Sequence, residues 1–243
     1  MNFKVPSVIF AILIYFTIFS SLYYDNSLYY VDAQQSTISD HQFHGYLEQM
    51  IGHLDASILN VQNNNRVLAV AHALHPIEEI VDVINSRLIQ TNETLPKDFS
   101  NRLNKYVQTV KSDDLDKIII EKMELEKFLN NALDKTIALE KRTNRDHILN
   151  VTADLITIAS EEYTESMSQG KIINFLEYQD GQQFFKRALI LLNTSQTYLS
   201  DNDKNYLTEV KELQKGMNSK IDPSEIDMNV KDMLCQIKKG FYC

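Results

Sequence analysis

Ala71-His72-Ala73-Leu74-His75-Pro76-Ile77-Glu78-Glu79-Ile80 puts two imidazoles, two carboxylates and a proline into one short stretch of a long helical pattern. At a 3.6-residue period His72, His75 and Glu79 fall within a narrow arc, with Glu78 just outside it. Pro76 has no backbone N–H to donate and crowds the preceding turn. It is therefore expected to free the carbonyl of His72 and to kink the helix where these side chains sit. Val70, Ile77, Val81, Ile84 and Leu88 form the opposite, apolar face, while Asp82 and Ser86 continue the polar one. The stretch reads either as a ligand-bearing bend or as the solvated side of an amphipathic helix. A helix start at Pro76 is a third reading, opposed by Val67-Leu68-Ala69-Val70-Ala71, which already has helical character.

Outward from this bend the same periodicity continues. Helices are expected over about 40–62, 66–90, 99–110, 113–140, 145–168, 171–199, 203–216 and 223–239. Asn63-Asn64-Asn65, Pro96, Gly170, Asp201-Asn202-Asp203 and Pro223 punctuate them. With only six glycines and four prolines in 243 residues, the chain has few other breakers. The fold expected is all-α: two packed four-helix units, up-down bundles, over 34–142 and 143–243, from an internal duplication. Setting the turn before Arg66 over the turn before Lys171 brings His72 over Glu177 and His75 over Asp180 at one constant offset.

That alignment matters chemically. In helical bundles, metal sites are built from inward-facing histidines and carboxylates on neighbouring helices. Ile173, Phe184 and Leu191 share a predicted face with Glu177 and Asp180, so these acids lie within an apolar stripe. An ionised carboxylate there is costly unless a cation, a histidine or another donor satisfies it. Arg187 on the same side offers a plain salt bridge to Asp180 as the competing explanation. Glu162, on the preceding helix, is nearest in phase to the apolar side, and His53 lies beside the stripe of the first helix.

The first residues, 1–33, have the make-up of a secretory leader. Lys4 precedes an apolar run over 5–22, and Val31-Asp32-Ala33 ends on a small residue suited to cleavage. The run is also near the length of a membrane span, which leaves an uncleaved anchor open. Either way the body is expected outside the cytoplasm, secreted or at the cell surface, touching the membrane only through this segment. Acidic residues outnumber lysine and arginine by 33 to 24, so no nucleic-acid partner is expected. Cys235 and Cys243 form no haem-attachment or paired zinc motif, and a terminal disulfide between them is left open.

Ala73-Leu74-His75-Pro76-Ile77-Glu78 resembles the G-x-H-x-x-E element of extracytoplasmic iron-binding proteins of the imelysin and EfeO type, with Ala73 where the glycine stands. The chain also resembles the soluble domain that accompanies high-affinity iron permeases. The resemblance implies two packed four-helix units and His75 with Glu78 as ligands. Spacing and packing add His53, His72, Glu79, Glu162, Glu177 and Asp180 as candidates. The function expected is an exported protein that binds a metal ion, iron first, with zinc or copper able to occupy a similar donor set, and that captures the ion at the cell surface or delivers it there, a membrane permease being one recipient. A structural or adaptor bundle without an ion is the alternative. No enzyme is expected: there is no H-E-x-x-H, no G-x-S-x-G and no internal Cys/His pair.

Overall fold

A computed structural model describes residues 38–112 and 114–238. The leader at 1–33 and Cys243 lie outside the described residues. Helix α1 (Asp40–Gln62) opens on Ser39, whose hydroxyl accepts the Gln42 amide N–H while the Gln42 side chain accepts the Ser39 amide N–H. This reciprocal cap satisfies two donors that the first turn leaves free. Asn65 caps α2 (Arg66–His75), which passes through a π turn (Pro76–Ile80) into α3 (Val81–Thr91). In α4 (Leu95–Ser112) Pro96 sits in the first turn, where its missing N–H leaves no bond unmade. Asp114 caps α5 (Leu115–Thr136), and a single turn, α6 (Leu139–Arg142), leads to Asn144, the cap of α7 (Arg145–Ser166).

Two short strands follow, β1 (Met167–Ser168) and β2 (Lys171–Ile172), paired antiparallel. Gln169 and Gly170 turn the corner with φ of 50° and 72°, the twist a two-residue hairpin requires. Then come α8 (Phe175–Thr194), capped by Asn174, a 3₁₀ turn (Gln196–Tyr198), α9 (Asn205–Asn218) and α10 (Pro223–Ile237), with Pro223 just inside the Asp222 cap.

Apart from this hairpin the regular elements among the described residues are helices, as the sequence leads one to expect. Several elements differ in detail: the helix expected over 113–140 ends at Thr136, and the one expected to 199 ends at Thr194. The helix expected over 66–90 is divided by the π turn, and the one expected from 171 begins at Phe175, because Lys171 and Ile172 pair with the end of the preceding element instead. Ile173 consequently precedes α8 and is exposed rather than part of its buried face.

The described residues belong to one compact unit. Its interior holds two apolar clusters, one from Phe43 to Ile137 and one from Ile148 to Ile237. Helix α1 lies between them, packing on α2 and α5 with its apolar stripe and on α7 and α8 with a different line of residues. That second line is polar or small: His41, His44, Gly45, Glu48, Gly52, His53 and Asn60. It meets Asp154, His147, Arg187, Phe184, Asp180 and Gln179 across the seam. Cys235 is disulfide-bonded. Among the described residues no helix is long and apolar enough to cross a membrane.

Candidate metal centre

The polar seam is deepest where α1, the end of α2 and α8 meet. Two glycines allow the close approach. A Cβ on Gly52 would stand 2.9 Å from the Phe184 ring, and one on Gly181 would stand 2.9 Å from the Ala159 carbonyl oxygen. Each glycine precedes or follows a site residue directly, so α8 is drawn against α1 beside His53 and against α7 beside Asp180. Proline in mid-helix prevents an ordinary α turn, and the chain closes the gap with a π turn in which the Val81 N–H bonds the Pro76 carbonyl. A π turn holds more residues than an α turn. The phase of the helix therefore shifts after His75, which sends Glu78 to solvent and keeps Glu79 beside the ring.

Asp180 is the centre of the arrangement. Its carboxylate is wholly buried, and three imidazoles surround it. His53 Nδ1 is 2.8 Å and His72 Nδ1 3.0 Å from Oδ1, and His75 Nδ1 is 3.1 Å from Oδ2. The rings stand edge to face, with centroids 5.1 Å apart for His53 and His75 and 5.9 Å apart for His72 and His75, and the Phe184 ring closes the side of His53. One ligand atom from each of His53, His72, His75 and Asp180 lies within 4.8 Å of the others. Three imidazole nitrogens and one carboxylate oxygen form a donor set that suits a divalent transition ion.

Three more carboxylates edge the centre on its open side. Glu79, half exposed, reaches to 3.8 Å from His53 Nε2 and 3.7 Å from His75 Nδ1. Glu162 on α7 is hydrogen-bonded to Glu177 on α8. Burial, that hydrogen bond and the charges of Asp180 and Glu79 push the Glu162 carboxyl up to about 9. Burial opposes charge on Asp180 as well, but the charge of His53 and the hydrogen bonds of all three imidazoles hold it well below the usual carboxylate range. Burial likewise opposes charging of His75. The hydrogen bond to Asp180 and the charges of Asp180, Glu79 and Glu177 outweigh it and raise His75 to about 9. Such a site attracts positive charge, and protons fill that need when no ion does.

The structure thus brings together His53, His72, His75 and Asp180, with Glu79, Glu162 and Glu177 around them; Glu78 is exposed and does not join. Arg187 does not pair with Asp180. It binds Glu48 on α1 through Nε at 2.7 Å and Nη2 at 2.6 Å, which leaves Asp180 to the imidazoles. The remaining histidines sit at the far end of the seam, with His41 Nδ1 2.8 Å from Asp154 and His44 Nδ1 3.0 Å from His147 Nε2. Gln179 and Asn60, buried behind His72, escape a search of the sequence for ionisable ligands. The signal available was that Gln179 adjoins Asp180 on a helix whose polar residues face inward.

Neither the curated proteins nor the solved structures give a significant match to the chain. Residues 138–241, which contribute Asp180, Glu162 and Glu177, match the family described as the iron permease-associated 4-helix bundle domain, and the match supports an association of this part of the chain with iron permeases.

Proposed function

We propose that this protein is an exported metal-binding protein that captures iron outside the cytoplasm and passes it to a membrane permease, acting by binding and not by catalysis. One observation carries the reading: a fully buried carboxylate, Asp180, meets three imidazole Nδ1 atoms within 3.1 Å, an arrangement expensive to build and idle without a cation. An entering ion would take the place of the hydrogens shared between those nitrogens and Asp180. His53, His72, His75 and Asp180 would hold it, and Glu79, Glu162 and Glu177 would present negative charge along its way in. Mixed nitrogen and oxygen donors favour iron, zinc or manganese over copper(I), which prefers sulfur. The match of residues 138–241 favours iron among these. The leader-like composition of residues 1–33 supports export.

Calorimetric titration of the purified protein with ferrous and ferric iron, zinc and copper tests the reading. Saturable uptake by the parent, lost in the His72→Ala/His75→Ala double variant with its helical spectrum intact, is the expected result. A parent that takes up no ion would instead favour an adaptor bundle whose polar seam is purely structural.

A further inference from the structure

Behind His72 the structure holds a chain of hydrogen bonds whose direction can be read from one end. Asn60 Nδ2 is 2.9 Å from the Ala56 carbonyl oxygen. A backbone carbonyl only accepts, so the Asn60 amide is oriented without ambiguity. The second hydrogen of the same nitrogen points to Gln179 Oε1 at 2.8 Å, and Gln179 Nε2 returns to Asn60 Oδ1 at 3.4 Å. The Gln179 amide is thereby fixed in turn, with its oxygen towards His72. His72 Nε2 lies 2.9 Å from that oxygen. The oxygen cannot donate, so Nε2 must carry a hydrogen. All three side chains are buried, at 0 % exposure for His72, 2 % for Asn60 and 4 % for Gln179, so water does not compete for these bonds.

From this we infer that Gln179 and Asn60 are positioning residues that dictate the ligand atom of His72. With Nε2 held as a donor, Nδ1, which shares its hydrogen with Asp180 at 3.0 Å, is the nitrogen whose lone pair is freed when an ion displaces that hydrogen. The chain runs from a main-chain carbonyl in α1 to an imidazole in α2 by way of α8, so the three elements that supply the centre also lock its orientation. Outer partners of this kind fix the tautomer and angle of a ligating histidine, and their loss typically lowers metal affinity by about 10- to 100-fold. The inference rests on the metal-binding reading above and adds which nitrogen binds and what holds it.

Nitrogen-labelled full-length protein, with and without zinc or cadmium as diamagnetic probes, tests it by long-range proton–nitrogen NMR of the His72 ring, beside affinities for the parent, Gln179→Leu and Gln179→Glu. The expected results are a protected Nε2–H in the metal-free parent, coordination through Nδ1 in the loaded parent, and an affinity lower by about 10- to 100-fold in Gln179→Leu. Gln179→Glu, whose carboxylate still accepts from Nε2–H, should restore both affinity and ligand atom. A purely structural role for Gln179 would lower stability in Gln179→Leu without changing affinity or the ligating nitrogen, and would overturn the inference, as would coordination through Nε2. A parent with the protected Nε2–H that binds neither ion would overturn the metal reading itself, and the ligand assignment with it.

Discussion

At the scale of single residues, His75 and Glu79 show what the centre demands. His75 is held at about 9, against an ordinary value near 6.5. A folded value above the unfolded one means that the contacts of His75 stabilise the metal-free protein in full below about pH 6.5 and are lost as pH rises through about 9. An ion must displace the same proton, so affinity should climb with pH, by up to about tenfold per unit for each proton released, and level off near pH 9. Titrations across this range, with proton release measured in buffers of different ionisation enthalpy, check this; a flat profile would contradict it. Glu79 and Glu78 separate the contacts seen here from the H-x-x-E pattern, which points to Glu78. Glu79→Gln should weaken ion binding by about tenfold, whereas Glu78→Gln, on an exposed side chain, should leave it within about twofold. Both can be read by the same calorimetry.

At the scale of elements, the π turn and the two glycines do the placing. Gly181→Ala would force a methyl group against the Ala159 carbonyl and the end of Met217, part of it rigid backbone, and should destabilise the protein by about 1–3 kcal/mol in denaturant unfolding. Gly170→Ala lies in open space but at φ of 72°, so its cost should be confined to the hairpin. The helices were legible in the sequence because their apolar periodicity and the breakers between them, Asn63-Asn64-Asn65 and Pro223 among them, are local. So was the disturbance at Pro76, since the missing N–H is a property of the residue. How the chain closes the gap is not local. That the gap is closed by a π turn over Pro76–Ile80, with Glu78 and Glu79 on it, shows only in the folded chain. The β1–β2 hairpin was hidden for a similar reason: Gly170 announces a turn, but two-residue strands carry too little pattern to distinguish from a helix end.

At the scale of the whole molecule, the centre lies in a polar seam between two apolar clusters and ties α1 and α2 to α8. Setting the halves of the sequence at a constant offset placed His75 over Asp180, and the two side chains are 3.1 Å apart. The second face of α1 was not legible, because its apolar stripe dominates the pattern and the polar line needs a partner helix before it has meaning. Since an ion would bind only the assembled seam, loading should stabilise the fold. At an ion concentration about 100 times the Kd the gain is about 2.7 kcal/mol, or roughly 5–10 °C in Tm for a chain of this size. A chelator should reverse the shift, and the His72→Ala/His75→Ala variant should show none. The most direct test of the central claim is anomalous diffraction at the iron edge from crystals loaded with ferrous ion without oxygen. One strong peak enclosed by His53, His72, His75 and Asp180 is the expected result. Iron bound only at surface carboxylates such as the exposed Glu161 and Glu165 of α7, with Asp180 still hydrogen-bonded to its three imidazoles, would contradict it.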